Sequence, residues 1–430
     1  MKVNRRWFMA LMPVLFLTYL SQSVFASPVE LSLDDSINLA LKNNYDIKIA
    51  KSDREKYLWA IDQAKANKGV ALSYTHTAER YDTPPTIYVP NYTWTTDFDN
   101  LVSLTLPLYS GGKLESLINQ AKLDLTVAEL DLAVAKQQLK LNVVTYYFNV
   151  LEYRNEVATC QETVNNYTEH LNLVQAKYDL GMVAKTDVLS SKVDLADAQD
   201  SLIKAQNNYY NAIATLNNAI GLDHGTEVQL KDDFKYEKNT LTLEDCLNYA
   251  ISHRLELAQY KAKVASAEDD VSIANSNYRP TVDMTLTQGW SDDSFPGGKN
   301  GNWLAKVTAS VSLFDSGLTN SKVQQAKHSL VKVHDQASQK RDAILLDVRQ
   351  YYLSMREAER RIDTSYVTVN QAEENLMIEK ARYEAGTGTN LDILDAVLSL
   401  DKAKKNYTQA LYDYNTAKAN LDQAMGLSVE

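Results

Sequence analysis

Two aspartates, Asp392 and Asp395, have the clearest spacing for chemistry in this 430-residue chain. They stand three positions apart at the start of a helical segment, so both carboxylates lie on one face of a helix. Carboxylates that line a passage attract cations. Acids near a helix N-terminus also stabilise the helix through its dipole, by about 0.3–1 kcal/mol each. Spacing by itself therefore favours a structural role for the pair.

No constellation of catalytic or metal-binding residues occurs in the sequence. The six histidines include no pair at positions i and i+4, and no Gly-x-Ser-x-Gly elbow is present. The segment 110–113 (Ser-Gly-Gly-Lys) is not a phosphate loop, because Pro107 occupies the place of the first glycine and Leu114 follows the lysine. We therefore predict that the protein is not an enzyme and uses no cofactor and no metal.

The charge and the cysteines exclude other classes. The chain carries a formal net charge of −11, which is a poor surface for nucleic acid, whose phosphates are neutralised by Lys and Arg. The two cysteines, Cys160 and Cys246, lie in different halves of the chain, and neither has a cysteine at the equivalent position of the other half. Cys160 also lies on an apolar stripe, so we expect a core residue and no disulfide.

The first residues have the pattern of an export signal. A basic start (Lys2, Arg5 and Arg6) precedes an apolar stretch, and positions 24–26 (Val-Phe-Ala) fit a cleavage site. We predict a signal peptide over 1–26, whose removal would take the net charge to −14. No later run of 18 apolar residues occurs, so the mature chain is either soluble in the exported space or held in a membrane by strands.

Most of the chain is present twice. The stretch 108–222 is echoed at 313–427, always 205 positions later, and the segments at 33 and 243 match at a spacing of 210. A period of this length indicates a duplicated domain and not a solenoid or a propeller. We predict a first repeat over 27–240 and a second over 241–430.

Each repeat contains one β-hairpin. Ser32 and Thr242 start helices in the pattern Ser/Thr-x-x-acid, and we expect those helices to run to about Lys68 and Asn277. Apolar and polar residues then alternate, which predicts hairpins over about 70–108 and about 280–314. Each chain thus supplies four strands.

Long helices follow each hairpin. Apolar residues recur every seven positions from Ile118 to Val174 without an intervening proline, and Gly181 ends the pattern. We predict a helix over about 112–180, on the order of 100 Å long at 1.5 Å per residue, and a second helix over about 187–221. The other repeat predicts helices over about 317–385 and about 391–426.

Four amphipathic strands cannot form a membrane protein by themselves. An open sheet has two edges, whose unpaired backbone groups cost several kcal/mol each in lipid. Several chains must therefore share one barrel, with eight, twelve or sixteen strands, of which the larger two leave a lumen.

The segment 383–395 carries the most specific motif. It reads Tyr-Glu-Ala-Gly followed by Thr-Gly-Thr-Asn-Leu-Asp-Ile-Leu-Asp, and it resembles the Tyr-x-x-Gly turn and the Asp-Val-Leu-Asp helix start of the TolC family of outer-membrane efflux and secretion channels. The resemblance covers the whole mature chain. It implies a mixed α+β membrane protein with an internal two-fold repeat, in which a trimeric 12-stranded β-barrel, four strands per chain, continues into a long α-helical coiled-coil barrel.

The same resemblance assigns roles to individual residues. It implies that Asp392 and Asp395 form a constriction ring of six carboxylates in a trimer. It also implies a latch between Tyr383 and Asp187 or Thr186. Simple packing of Tyr383 on its apolar stripe is the alternative, and Gly388 stands where the family has a basic residue. The residues implied to contact an adaptor are Leu180, Gly181, Met182, Ala385, Gly386 and Thr387.

We therefore predict an outer-membrane exit duct of a tripartite efflux pump or a type I secretion system. It would be a homotrimer in outer-membrane lipid, with its helical part in the periplasm, opened by a periplasmic adaptor and an inner-membrane pump. The alternative is an exported coiled-coil scaffold without a channel, which explains the heptads but not the paired sets of strands.

Overall fold

The computed structural model describes residues 29–85, 87 and 93–427, and the predicted signal peptide lies outside them. In chain order the elements are β1 (Val29–Leu31), α1 (Leu33–Asn43), α2 (Tyr45–Ala66), β2 (Ala71–Thr83), β3 (Thr93–Tyr109), α3 (Lys113–Asp179), α4 (Lys185–Ile220), β4 (Val228–Leu230), α5 (Leu243–His253), α6 (Leu255–Ser276), β5 (Thr281–Asp292), β6 (Asn302–Ser310), α7 (Leu318–Glu384) and α8 (Asn390–Met425).

The helix that opens each repeat is broken in two, where the sequence predicted one. Ser32 and Thr242 form capping boxes with Asp35 and Asp245, as the pattern indicated. At Asn44 the backbone becomes extended (φ −61°, ψ 137°), and its Nδ2 donates to Ala219 O at 3.1 Å. Arg254 adopts a similar conformation and donates to Gln423 O. Both breaks are thus held by the C-terminal ends of α4 and α8, which lie far away in sequence.

A small parallel sheet was not predicted. β1 pairs with β4 in the register Val29↔Val228 to Leu31↔Leu230. Strands of three residues are too short to show a two-residue period, and a parallel pair joins segments that are distant in sequence.

The four predicted strands form one antiparallel sheet in the order β2-β3-β5-β6. Residues paired directly across an antiparallel sheet share a face, so the register gives each face its composition. The apolar face carries Leu72, Leu104, Leu106, Met284, Leu286 and Val307. The opposite face carries Ser73, Ser103, Thr105, Asp283, Thr285, Thr287 and Lys306.

Both edges of this sheet are free within the described chain. β2 pairs only with β3, and β6 pairs only with β5. β6 ends at Ser310, four residues before the predicted limit, because Ser310 pairs with Thr281, the first residue of β5. The side chains of Leu313 and Phe314 beyond it are exposed.

The longer helices form a wall, and the short helices α1 and α5 pack against α3 and α4 and against α7 and α8. In the half of the wall next to the sheet, α3 packs between α2 and α6, and α6 packs on α7. In the other half the order is α4, α3, α8 and α7. Three apolar clusters lie along the wall, and they are centred on Tyr147, Tyr414 and Val397. Cys160 is buried as expected. Among the described residues, no helix is both long enough and apolar enough to cross a membrane.

Candidate functional site at the tips of the helical hairpins

The two hairpins end in turns of the same geometry. After α3, Met182 N donates to Lys177 O at 2.8 Å and Gly181 N donates to Tyr178 O at 2.8 Å. After α7, Thr387 N donates to Arg382 O and Gly386 N donates to Tyr383 O, at 2.9 and 3.1 Å. Both are Schellman motifs. Gly181 and Gly386 have φ of +75° and +78°, which an L side chain rarely adopts.

These turns present apolar side chains to solvent. Leu180 and Met182 are 76% and 68% exposed, and Ala385, Gly386 and Thr387 are exposed as well. The six residues implied as adaptor contacts are therefore all accessible in the single chain. Exposed apolar side chains clustered at one end of a molecule are typical of interaction surfaces.

Asp392 has a structural role in addition to any role in a ring. Thr389 caps α8, and Asp392 Oδ2 accepts from Thr389 N at 2.8 Å in a capping box. The bonds from the Thr389 backbone and side chain lower the pKa of Asp392, so its carboxylate stays ionised. Asp395 follows on the same face and is exposed. The pair thus offers two accessible carboxylates near the tip.

The predicted latch is not formed in the single chain. Tyr383 is buried, but its hydroxyl has no hydrogen-bond partner. Asp187 only raises the pKa of Tyr383 by its charge, after the larger effect of burial, and Thr186 is exposed. Lys177 Nζ instead donates to Tyr383 O and lies 4.1 Å from the centre of the Tyr383 ring. The latch and simple packing both stay predictions for the assembled protein.

Gly388 leaves little room for the basic side chain that the family has at this position. A Cβ on Gly388 would lie 3.2 Å from Tyr383 N and 3.3 Å from Arg382 Cβ. Those contacts are tight, so a larger residue would displace the end of α7.

Asn390 makes a connection between the hairpins that the sequence did not predict. Its Oδ1 lies 2.6 Å from His170 Nε2 and accepts from Ser191 Oγ at 3.1 Å. Its Nδ2 donates to Asp187 O at 3.4 Å. One side chain thus joins the starts of α8 and α4 to α3. Nothing local in the sequence indicated this, since Asn at the first turn of a helix is common.

Burial shifts the pKa of two titratable groups near Asn390. His170 is 4% exposed, and burial lowers its pKa, so the imidazole is neutral at pH 7. Burial also raises the pKa of the Asp194 carboxyl, with a smaller contribution from Asp197 and Asp395. Within residues 29–85, 87 and 93–427, no group of three His, Cys, Asp or Glu side chains is placed to hold a metal.

Comparisons with known proteins agree with this architecture. The model of the family described as "Outer membrane efflux protein" matches residues 36–222 and 246–427, the two halves of the duplication. The chain belongs to the outer membrane efflux protein family. As a member of this family it is an outer-membrane protein and not an enzyme.

Named relatives are more distant. Outer membrane protein TolC of Escherichia coli is 26% identical over 270 residues, which cover 60% of this chain and 55% of TolC. Alkaline protease secretion protein AprF of Pseudomonas aeruginosa is 26% identical over 272 residues, 62% of this chain and 56% of AprF. The matches thus span about half the length of these relatives.

Solved structures of other outer-membrane proteins share the fold of this efflux-family member. VceC of Vibrio cholerae superposes with a TM-score of 0.80 at 18% identity, covering 93% of this chain and 97% of VceC. The Campylobacter jejuni CmeC outer membrane channel superposes with a TM-score of 0.82 at 18% identity, covering 93% of this chain and 86% of CmeC. The predicted fold class, a barrel-forming sheet continued by a helical tunnel, is confirmed.

Proposed function

We propose that this protein is a trimeric exit duct in the outer membrane, serving a tripartite efflux pump or a type I secretion system. The observation that carries the proposal is the four-stranded sheet, with one apolar face, one polar face and two free edges. A sheet with lipid on one side and water on the other has this composition. Family membership supports the same assignment.

Free edges favour closure by several chains. Backbone groups at β2 and β6 need partners inside a bilayer, and β6 of one chain can pair with β2 of the next. Three chains give twelve strands, enough to leave a water-filled lumen. The helical wall also has two free edges. One is formed by α2 and α4, where Ile203 is 64% exposed, and the other is formed by α7.

The more specific parts of the proposal concern the tips of the helical hairpins. In a trimer, Asp392 and Asp395 would bring six carboxylates into one ring, which favours cations over anions. The exposed turns at 180–182 and 385–387 would receive a periplasmic adaptor coupled to an inner-membrane pump. The duct itself would be passive, opened at these tips by its partners. Cross-linking from Met182→Cys to such an adaptor tests the contact, with exposed Asp34→Cys as the control position.

The decisive experiment combines extraction, size and conductance. Membranes that contain the full-length protein are washed with carbonate, and the residual protein is purified in detergent and placed in planar bilayers. A duct resists carbonate, has the mass of three chains and gives discrete conductance steps. A carbonate-soluble monomer without conductance would instead support the exported scaffold and end this proposal.

A further inference from the structure

The loop between β5 and β6, residues 293–301, is bound to the neighbouring strand β3. Asn100 Nδ2 of β3 donates to Pro296 O at 2.7 Å and to Gly297 O at 3.0 Å. The ring of Phe295 packs edge-on against the ring of Phe98, with centroids 5.7 Å apart. We call this loop the strap, because polar and apolar contacts together hold it on the sheet.

The strap lies on the apolar face of the sheet. Asn100 pairs directly with His76, and two positions further along β3 Val102 pairs with Tyr74. Residues that are paired directly or separated by two positions share a face, and Leu104 of the apolar face follows Val102 by two. The loop therefore folds to the outside of the proposed barrel and not over its lumen.

A glycine allows the strap to approach β3 closely. Gly297 is buried and has a φ of +80°, and a Cβ at this position would overlap Phe98 O. Another residue would thus be strained in its backbone and would push the strap away from the strand. A Cβ on the next residue, Gly298, would meet nothing within 4 Å.

Asn100 is a polar residue on the apolar face, and the chain satisfies its whole amide. The two hydrogens of Nδ2 go to the strap, while Oδ1 accepts from Tyr74 OH at 2.7 Å and lies 2.9 Å from His76 Nδ1. A polar group without a partner is costly in lipid, whereas one that is paired inside the protein is tolerated. The strap thus makes this part of the face compatible with lipid.

The apolar run of β3 is too short to span a membrane without the strap. From Tyr109, which pairs with Val282, the run ends seven residues away at Val102. Seven residues cover about 23 Å of strand at roughly 3.3 Å each, or roughly 18 Å of height at a tilt of about 40°. The outward apolar band of such barrels is about 25 Å tall. The missing height corresponds to about three residues, the level of Asn100 and Phe98.

We propose that the strap completes the lipid-facing surface, with Phe295 seated against the acyl chains just below the headgroups of the outer leaflet. The strap lies at the end of the sheet far from the helices, which places it in that leaflet. Phe295 is 73% exposed and continues the apolar face beyond Val102. The inference rests on the proposed function, in which the apolar face meets lipid.

The residues around and beyond the strap fit the boundary with the headgroups. Lys299 Nζ lies 3.2 Å from Asp292 Oδ2, so the two charges compensate each other. Further from the helices on the same face, the Arg80 guanidinium lies 5.3 Å from the centre of the Trp94 ring. Basic and aromatic side chains are typical of this boundary. Phe295 is therefore bracketed by an apolar run on one side and by interfacial residues on the other.

Spin labels at single cysteines test the level of the strap. The background carries Cys160→Ser and Cys246→Ser at the two buried cysteines, and the full-length protein is reconstituted in vesicles of phosphatidylethanolamine and phosphatidylglycerol. Each label meets oxygen, which collects in the acyl region, and a nickel chelate, which stays in water. A label at Phe295→Cys should collide mainly with oxygen, as should one at Leu286→Cys. A label at Glu79→Cys, on the polar face, should collide mainly with the chelate.

Two adjacent glycines provide matched variants that displace the strap or leave it in place. In the Phe295→Cys protein, Gly297→Ala should shift the accessibility of the label toward the chelate, because the added Cβ overlaps β3. Gly298→Ala, with open space around its Cβ, should leave the accessibility unchanged. A label at Leu286→Cys in the Gly297→Ala protein reports whether the sheet is still inserted.

The outcomes separate this inference from the proposed function. A Leu286 label in lipid together with a Phe295 label as open to the chelate as the Glu79 label overturns the inference only. Equal accessibility in the Gly297→Ala and Gly298→Ala proteins, with the sheet inserted, overturns it as well. The first comparison decides even where Gly297→Ala prevents insertion. A Leu286 label that is open to the chelate without either glycine change overturns both the inference and the proposed function.

Discussion

At the residue scale, Asn390 forms a hydrogen-bonded contact between the hairpins that the sequence did not predict. It holds His170 and Ser191, both buried, by hydrogen bonds. A buried polar group left without a partner costs more than the bond itself contributes. Tyr383 lies nearby but contributes by packing, since its hydroxyl is unpaired. Asn390 is therefore one of several polar contacts between the hairpins, beside Thr163–Asp401 and Lys380–Glu169.

Replacement of Asn390 tests this directly. We expect Asn390→Ala to lower the free energy of unfolding by about 1–3 kcal/mol, because the buried His170 loses its partner, whereas Ser191 keeps its bond to Asp187 O. The same change should raise single-channel conductance if the tips form the gate. Thermal unfolding in detergent measures the first effect. Thr186→Ala, at an exposed position of the same tip, should leave both unchanged, and equal stability of the two variants would contradict the assignment.

The carboxylates of Asp392 and Asp395 belong to the same scale. Asn keeps the oxygen that accepts from Thr389 N, so Asp392→Asn with Asp395→Asn removes charge while it preserves the cap. We expect the double variant to lose cation preference in reversal-potential measurements under a salt gradient. Asp34→Asn, exposed on α1, is the control. Unchanged selectivity of the double variant would exclude the ring.

The pKa of Asp392 determines the pH range over which we expect the cation preference. Hydrogen bonds from Thr389 lower the pKa of Asp392 in the folded protein. The ionised carboxylate therefore contributes stability above its unfolded pKa. This contribution is lost as pH falls through the lower folded pKa. Cation preference should therefore persist into acid below the ordinary range of aspartate.

At the element scale, the joint between α3 and α8 contains an acidic residue, Glu152, whose ionised form is disfavoured by burial. Burial raises the pKa of Glu152 to about 7, helped by the charges of Asp413 and Glu156. Asp413 is itself paired with Arg361 at 2.7 Å.

The pH dependence of stability follows from the sign of that shift. The folded chain binds a proton more tightly than the unfolded chain, so stability falls as pH rises from about 4.5 through about 7. We expect Glu152→Gln to raise the melting temperature at pH 8 and to flatten its decline over this range. Glu374→Gln, an exposed acid on α7, should retain the wild-type profile. A Glu152→Gln profile parallel to the wild type would contradict the assignment.

At the scale of the whole molecule, the two-faced sheet and the wall of long helices have the same consequence. Neither buries both of its edges within one chain. The sheet needs partners for its backbone groups, and the wall needs partners for exposed apolar side chains such as Ile203. Assembly of copies satisfies both requirements at once.

Adjacent residues on opposite faces of β5 test the orientation of the sheet. Leu286 lies on the apolar face and Thr287 on the polar face. We expect Leu286→Lys to reduce insertion into the outer membrane, since a lysine on the lipid face costs roughly 2–4 kcal/mol at mid-bilayer. Thr287→Lys should insert normally. Heat-modifiable mobility on gels reports insertion, and equal behaviour of the two variants would exclude lipid on the apolar face.

The features that could be predicted from the sequence are those that depend on interactions between residues close together in the chain. The long helices, the glycine turns and the paired hairpins could be predicted because seven-residue and two-residue periods and turn residues act locally. The capping boxes at Ser32 and Thr242 were predictable for the same reason. The helix breaks at Asn44 and Arg254 were not, because each is held by the end of a helix some 170 residues away.

The duplicated sequence by itself determined the long helices, the two β-hairpins and the need for several chains. It did so because periodicity and backbone hydrogen bonding are properties of short segments. Only the tertiary structure decided which side chains meet. It placed Asn390 beside His170 and Ser191, and it broke the first helix of each repeat at Asn44 and Arg254. Such choices depend on packing between segments hundreds of residues apart, which no local pattern encodes.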